Sequence, residues 1–246
     1  MINRSSMMVQ RRRSMAKSAL AYLSDKPKMS LARLLSGFSF HASVIFAAEK
    51  VLSSHSIRAR KRMILYLIRH GLAAESALQH STEDDLRRPL TDEGRKKTKR
   101  AARGMAALYP APDIILTSSA LRSVQTAEVL SGVWKCRDIR SVSALNPGAE
   151  MKDYVSTLND LAADEGSLDE LRIAIVTHQP ELGEFLGHLI ENNIRRDEDR
   201  RFAYQPAACA RFELKKASLA VVELTDEGAA LEAFFSPGTL RRIAKM

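Results

Sequence analysis

Two arginines and two histidines stand at positions from which a parallel β-sheet would bring them together. Arg69 and His70 directly follow one short apolar run, His178 directly follows another, and Arg122 lies just beyond a third. A guanidinium is a planar fork that binds phosphate oxygens in pairs and keeps its charge. An imidazole attacks phosphorus in its neutral form, which nearby positive charges favour by lowering its pKa. These residues therefore predict phosphoryl transfer through a covalent phosphohistidine.

Two small residues beside these four are predicted to contact the ligand. Gly71 has no Cβ and would let the backbone approach the phosphoryl group. Ser119 is predicted to begin a helix, whose N-terminal N–H groups and dipole favour an anion. The chain has no Walker-type glycine loop and no acidic cluster with the spacing of magnesium ligands, so we predict a site without metal or cofactor.

Three apolar runs predict the strands that hold these residues. Each run is about five residues long and does not alternate with polar residues, which is typical of strands buried on both faces. Helical patterns separate them, as in α/β folds, where ligands bind at the carboxyl ends of the strands. We predict a three-layer α/β/α fold with a mainly parallel central sheet. The runs are Ile64–Ile68, Asp113–Thr117 and Ile173–Thr177.

Helix signals and later apolar runs predict the surrounding elements. The runs Ala210–Leu214, Leu219–Leu224 and Ala230–Phe235 are expected to add an antiparallel edge to the sheet. The highly charged segment Arg195–Arg201 is expected to be a solvated loop or a helix end. The predicted helices run from Thr91 to Tyr109, from Ser119 to Leu130, from about Glu150 to Ala163 and from Glu181 to Ile190.

The positive charge of the chain is concentrated at its N-terminus. The 246 residues carry a net charge of +9, but residues 1–62 hold thirteen Lys and Arg against two acids, and residues 63–246 are left with −2. A nucleic-acid hypothesis must therefore rest on residues 1–62, and none is expected for the remainder. The two cysteines exclude a disulfide framework, and the usual composition of 45% apolar and 27% charged residues excludes extensive disorder.

Several interpretations of residues 1–62 stay open. The segment is rich in arginine and poor in acids, which is typical of targeting peptides, but Met63 also stands where a compact domain could begin. Leu31–Leu52 is expected to form an amphipathic helix, docked on the body or at a membrane surface, and is too short in apolar residues to span a membrane. We expect a basic extension over 1–62, a catalytic domain over 63–246 and a cytoplasmic location, with organelle targeting as the alternative.

Four ordered motifs resemble the histidine phosphatase superfamily, once called the phosphoglycerate mutase-like family. The sequence Arg69-His70-Gly71 after a strand is similar to its signature, and Arg88-Pro89-Leu90-Thr91 is similar to its RPLTxxG segment. Ser118-Ser119 with Arg122 and Gln125-Thr126-Ala127 resembles its SxxxRxxQTA helix start, and Val176-Thr177-His178 resembles its late strand end. The similarity covers essentially all of residues 63–246.

The resemblance implies roles for these residues. His70 would be the nucleophile, and Arg69, Arg122 and His178 would bind the phosphoryl group and stabilise its charge. Arg88 would be a further anion contact. The body also resembles the small SixA-type phosphohistidine phosphatases, through His178-Gln179-Pro180-Glu181-Leu182 and the tail Ser236-Pro237-Gly238-Thr239-Leu240.

One departure from the wider family bears on the substrate. Mutases and fructose-bisphosphatase-like members insert a helical cap, with a YGxxxG element and a glutamate acid, between the second arginine and the late histidine. Only 56 positions separate Arg122 from His178, and no such element occurs there. A shallow, uncapped site favours a phosphorylated side chain on a protein over a small sugar phosphate. The general acid is open, with Asp85 and Glu150 as candidates.

Three functional hypotheses follow. The first is a phosphatase for a histidine-phosphorylated signalling or phosphotransfer protein. The second is a small-molecule phosphomonoester phosphatase of the same superfamily. The third, of another class, is an anchoring module that acts through its basic extension and binds in a salt-sensitive way. The oligomeric state is left open by the sequence.

Overall fold

The computed structural model describes residues 62–75, 81–197, 199 and 201–246. The predictions on the basic extension, including the amphipathic helix at Leu31–Leu52, lie outside these residues. Among the described residues, no helix is both long and apolar enough to cross a bilayer.

The central sheet has six strands. They span Met63–Arg69 (β1), Ile114–Ser118 (β2), Ile139–Val142 (β3), Arg172–Thr177 (β4), Leu219–Thr225 (β7) and Gly228–Phe235 (β8). Their order in the sheet is β3-β2-β4-β1-β7-β8. The strands β1, β2, β3 and β4 run parallel, whereas β7 pairs antiparallel with β1 and β8 pairs antiparallel with β7. The prediction of a mainly parallel sheet with an antiparallel edge is therefore confirmed.

Alternate side chains of the buried strands enter two separate hydrophobic cores. On β1, Leu65 and Leu67 belong to one core and Tyr66 and Ile68 to the other, and all four are at most 1% exposed. Burial on both faces explains why these strands read as continuous apolar runs.

Helices cover both faces of the sheet, which confirms the three-layer architecture. The helices span Thr82–Arg87 (α1), Asp92–Leu108 (α2), Leu121–Trp134 (α3), Met151–Glu165 (α4), Glu181–Ile190 (α5) and Pro237–Ile243 (α6), with a 3₁₀ turn at Ser143–Leu145. The core around Tyr66 is covered by α2, α3 and α6, and the core around Leu65 by α4 and α5.

Both predicted ends of α3 are wrong. Its N-cap is Ala120 rather than Ser119, and the Ala120 N–H is satisfied by Ser118 Oγ at 3.1 Å. The helix continues through Gly132 to Trp134 and ends at Lys135, whose φ is 65°. Burial of Trp134 in the core outweighs the small cost of a glycine in a helix.

One prediction in this part of the chain is wrong, and another holds only in part. Residues 210–214 do not form a strand; the carbonyls of this loop accept from Arg69, at the end of β1, and from Gln179, just after β4. Within the charged segment Arg195–Arg201, Arg195 and Arg196 belong to the short strand β5 (Ile194–Arg196), which pairs antiparallel with β6 (Phe202–Tyr204). The register of this pair is fixed because Ile194 and Phe202 are buried. The described residues Asp197, Asp199 and Arg201 are exposed and lie outside both strands, as predicted for a solvated loop.

Gly104 and Gly132 provide a matched test of how closely α2 packs against α6. A Cβ at Gly104 would lie 2.0 Å from the carbonyl oxygen of Leu240, whereas a Cβ at Gly132 would meet nothing within 4 Å. We expect Gly104→Ala to lower the free energy of unfolding by about 1–3 kcal/mol through overpacking. Gly132→Ala should raise it by about 0.5–1 kcal/mol. Urea denaturation measures both, and a Gly104→Ala protein as stable as the wild type would contradict the packing.

Candidate active site

The carboxyl ends of β1 and β4 bring the two predicted histidines together. These strands are adjacent, with Arg69 opposite Thr177, and the His70 N–H donates to the Thr177 carbonyl at 3.0 Å. The ring centroids of His70 and His178 are 5.1 Å apart, at an interplanar angle of 53°. Both side chains are buried, at 7% and 3% exposure. The predicted convergence of the two imidazoles is therefore present.

The His70 ring is held in one tautomer by its neighbour. Its Nδ1 lies 2.7 Å from the Gly71 carbonyl oxygen, and because a carbonyl only accepts, Nδ1 carries the hydrogen. The lone pair of the neutral ring is then on Nε2. The pKa of His70 is lowered to about 3, mainly by burial and further by the charges of Arg122, Arg69 and Lys216, although the bond to Gly71 opposes this shift. His70 is thus neutral at pH 7 with a nucleophilic Nε2.

Gly71 packs closely against its neighbours. Its backbone N–H donates to Thr126 Oγ1 at 3.0 Å. An added Cβ would lie 2.3 Å from Thr98 Oγ1 and 3.1 Å from Leu90 Cδ2. The glycine therefore lets the loop after His70 pack against α2, and its predicted contact with the ligand stays a prediction.

Three buried polar atoms at the site have no hydrogen-bond partner in the described structure: Arg69 Nε, Arg122 Nε and His178 Nδ1. Other nitrogens of these side chains are engaged: Arg69 Nη1 donates to the Leu214 carbonyl at 2.8 Å, and His178 Nε2 lies 2.8 Å from Ser118 Oγ. An unsatisfied buried polar group costs about 1–3 kcal/mol. Three such atoms in one pocket indicate that a ligand rich in oxygen atoms completes their hydrogen bonds.

Asp85 links the two remaining arginines. It accepts from Arg122 Nη2 at 2.8 Å and from Arg88 Nε at 2.9 Å, and Arg122 Nη1 also donates to its backbone carbonyl. Burial raises the pKa of the Asp85 carboxyl, but the hydrogen bonds from Arg88 and Arg122 outweigh this and hold the pKa below its ordinary value. Asp85 is therefore a carboxylate at neutral pH. Arg88 lies at the edge of the site and is connected to Arg122 through this carboxylate.

Glu150 and Ser119 have clear structural contacts. Glu150 is the exposed N-cap of α4, where its N–H donates to Asp153 Oδ2 at 2.8 Å and its carboxylate pairs with Lys152 at 2.9 Å. Ser119 is exposed, and both its N–H and its hydroxyl donate to Asn146 Oδ1, at 3.0 and 2.8 Å. The predictions of an acid role for Glu150 and a ligand contact for Ser119 stay predictions.

Sequence reasoning missed the residues that support the site. Ser118 and Asn146 contact His178 or its neighbours, and Thr126 and Leu214 hold Gly71 and Arg69. Ser118 had a signal, since it is a polar residue at the end of a buried strand. Asn146 had none, because it lies 28 positions after Ser118 and a helix and a strand come between them.

Among the described residues, no group of three or more His, Cys, Asp or Glu side chains is arranged to hold a metal ion.

The chain is similar to known proteins in both sequence and fold. The family model described as histidine phosphatase superfamily (branch 1) matches residues 65–146. An uncharacterized protein of Picosynechococcus sp. is 33% identical over 123 residues, which are 50% of this chain and 70% of that protein. The segment that the family model matches includes Arg69, His70, Asp85 and Arg122.

Several solved structures share the fold of most of this chain. The protein histidine phosphatase SixA complexed with tungstate superposes with a TM-score of 0.55 at 21% identity, covering 72% of this chain and 99% of that one. A putative phosphohistidine phosphatase SixA from Agrobacterium tumefaciens gives 0.52 at 24% identity, with 71% and 98% covered. Phosphoglycerate mutase from Bacillus anthracis gives 0.52 at 13% identity, with 76% and 98% covered. With its ordered motifs and paired histidines, this chain belongs to the histidine phosphatase superfamily.

Proposed function

We propose that this chain is a phosphatase that removes phosphate from a histidine-phosphorylated protein through a phosphohistidine on its own His70. The observation that carries the proposal is the neutral His70 ring, with its Nε2 lone pair, beside the unpartnered atoms Arg69 Nε, Arg122 Nε and His178 Nδ1. Groups of this kind bind phosphoryl oxygens and stabilise the charge that develops on them in the transition state.

The proposed reaction has two displacements at phosphorus. The Nε2 lone pair of His70 forms a bond to phosphorus, and the P–N bond of the substrate breaks, so that the imidazole leaves with the electron pair. Water then attacks the phosphorus, and the P–Nε2 bond breaks and returns its pair to His70. The water proton passes to phosphate or solvent. Throughout both steps, the Nδ1–H of His70 stays on the Gly71 carbonyl, which favours release of a neutral ring.

The state of the candidate acids favours an imidazole leaving group. An alkoxide needs a proton on the oxygen that departs, whereas a phosphorylated imidazole takes its proton on the remote ring nitrogen and needs no acid at the breaking bond. Asp85 is held as a carboxylate by two arginines, and Glu150 caps a helix in an ion pair with Lys152. The Asp85 carboxylate is therefore not a ready proton donor, which supports phosphohistidine over a phosphate ester.

The chain between Arg122 and His178 supports a protein substrate. Residues 123–177 are all described and form the rest of α3, β3, the 3₁₀ turn, α4 and β4, all of which belong to the sheet or its helical layers. This span therefore contributes no separate cap over the site. A site without such a cap can receive a side chain that projects from a folded partner.

The alternative of a small-molecule phosphatase has one supporting observation. The phosphoserine phosphatase of Entamoeba histolytica shares this fold, with a TM-score of 0.51 at 17% identity. The alternative of an anchoring module rests on residues 1–62, nearly all of which lie outside the described structure.

His70→Ala tests the nucleophile. We expect it to lower phosphohistidine hydrolysis by about 10³-fold or more and to abolish an acid-labile phosphoenzyme trapped by rapid denaturation. His188→Gln is the matched control, because His188 is also buried but packs against Tyr204 at a centroid distance of 5.1 Å, away from the site. Turnover or trapped phosphoenzyme that survives His70→Ala would refute the proposed nucleophile.

A substrate panel separates the two phosphatase hypotheses. Because general acid catalysis contributes about 10²–10⁴-fold to the hydrolysis of esters, we expect kcat/KM for a phosphohistidine protein to exceed that for phosphoserine and sugar phosphates by about 10²-fold or more. Each rate is scored against His70→Ala to exclude contaminating activity. Comparable kcat/KM values on the small esters would favour the small-molecule hypothesis.

The neutral state of His70 also predicts how stability depends on pH. Its pKa is about 3 in the folded chain and about 6.5 when unfolded, so that unfolding takes up a proton. The stability from this group is fully present above about pH 6.5 and is lost as the pH falls toward 3. We expect the slope of unfolding free energy against pH, between about pH 6 and 5, to be smaller by about 1.4 kcal/mol per pH unit in His70→Gln. Urea denaturation at several pH values measures this slope, and an unchanged slope would mean that folded His70 is protonated.

A further inference from the structure

A hydrogen-bond chain joins the buried His178 ring to Asn146, in the loop after the 3₁₀ turn. His178 Nε2 lies 2.8 Å from Ser118 Oγ, and Ser118 Oγ lies 2.8 Å from Asn146 Oδ1. Ser118 and His178 are buried and Asn146 is half-buried. Ser123 Oγ, at 3.4 Å, is a more distant neighbour of the same ring nitrogen. The chain crosses from β4 to β2 and ends outside the catalytic motifs.

Backbone groups set the direction of this chain. The Ser119 N–H donates to the Asn146 side chain at 3.0 Å, and because a backbone N–H only donates, the atom that faces it is the amide oxygen. An amide oxygen only accepts, so it favours a Ser118 hydroxyl that donates to it. The Ser118 oxygen then accepts from the Ala120 N–H at 3.1 Å and from His178 Nε2. This order of donors places the hydrogen of the neutral His178 ring on Nε2.

We propose that Asn146 is a positioning residue, which acts through Ser118 to hold the hydrogen of His178 on Nε2 and so keeps Nδ1 directed to the phosphoryl group. The inference rests on the proposed function of this site and deepens it. Nδ1 is the buried His178 nitrogen without a partner, and its ring lies against the nucleophile. Asn146 and Ser118 touch neither His70 nor the site arginines in any described hydrogen bond, so their effect reaches the phosphoryl group through His178.

The charges around His178 explain what the ring does when a ligand arrives. The pKa of His178 is lowered to about 2, first by burial and then by His70, Arg122 and Arg69, whereas Asp85 opposes this shift. A phosphoryl dianion adds negative charge beside Nδ1 and opposes these effects. The ring then takes up a proton from solvent on Nδ1. The resulting N–H donates a hydrogen bond to a phosphoryl oxygen, and the proton returns to solvent when phosphate leaves. The Ser118–Asn146 chain accepts from the other nitrogen and stabilises the charged ring.

Binding of inorganic phosphate tests the proposal without turnover. We expect Ser118→Ala and Asn146→Ala each to weaken phosphate binding by about 10-fold, the loss of one charge-assisted contact. The double variant should lose no more than either single variant, because both changes cut one chain. Ser131→Ala is the matched control, since it removes a 2.7 Å hydrogen bond to the Cys136 carbonyl in the outer part of α3. Wild-type affinity in either single variant, or additive losses in the double variant, would overturn the proposal.

The tautomer of His178 gives a second readout that a general loss of structure would not imitate. Nitrogen-15 spectra of histidine-labelled protein should show the His178 hydrogen on Nε2 in the free chain and a second N–H on Nδ1 with saturating phosphate. Asn146→Asp keeps an acceptor oxygen and should preserve the Nε2 hydrogen, whereas Asn146→Ala should not. A free ring with its hydrogen on Nδ1 would refute the chain. Failure of the phosphatase proposal would appear separately, in the His70 assays.

Discussion

The burial of two imidazoles beside two guanidiniums is the constraint on which the rest of this structure depends. The centroids of His70 and His178 are only 5.1 Å apart, and burial, followed by the charges of Arg122 and Arg69, lowers the pKa of both rings. Like charges in a buried pocket repel strongly, so the imidazoles stay neutral and the positive charge is left to the arginines. This arrangement supports the proposed roles of the pocket as an anion site and of His70 as an unprotonated nucleophile.

Asp85 makes this arrangement tolerable without filling the pocket. A buried guanidinium without a partner would be strongly destabilising. Asp85 pairs with Arg122 from the solvent side of the pocket and with Arg88 beyond it, while Arg122 Nε stays unpartnered. The carboxylate so engaged cannot also be a good acid. The charge balance between Asp85 and the arginines therefore supports the proposed imidazole leaving group.

The parts of the fold that face the hydrophobic core were predictable from the sequence. The strands that end at Arg69 and Thr177 are apolar on both faces, and the Thr91 cap does bind the Gly94 N–H at 2.8 Å. Elements that depend on partial burial were not. β3 lies at the sheet edge and contains Arg140, and residues 210–214 have an apolar pattern but serve as a loop whose carbonyls receive Arg69 and Gln179.

The functional site likewise has features that the sequence predicts and features that it does not. Histidines and arginines at strand ends are visible because the sheet topology alone brings them together. The atoms that decide their chemistry are not visible, since a backbone carbonyl holds His70 and a distant amide holds the Ser118 hydroxyl beside His178. No residue type in the sequence marks such a carbonyl, and no spacing joins Asn146 to β4. Motifs can therefore place a nucleophile, but they leave its tautomer undetermined.

The histidines that follow two neighbouring strands are held by hydrogen bonds at different ring nitrogens. His70 follows β1 and gives its Nδ1 hydrogen to the next carbonyl along the chain, which leaves the Nε2 lone pair for the proposed attack on phosphorus. His178 follows β4, and its Nε2 lies beside Ser118 at the end of β2, which leaves Nδ1 for the proposed contact with the phosphoryl group. If both rings carried their hydrogen on the same nitrogen, either the Nε2 lone pair of His70 proposed for attack or the hydrogen bond from His178 Nε2 to Ser118 would be lost. The difference in role between two identical side chains thus follows from which neighbour takes the hydrogen of each ring.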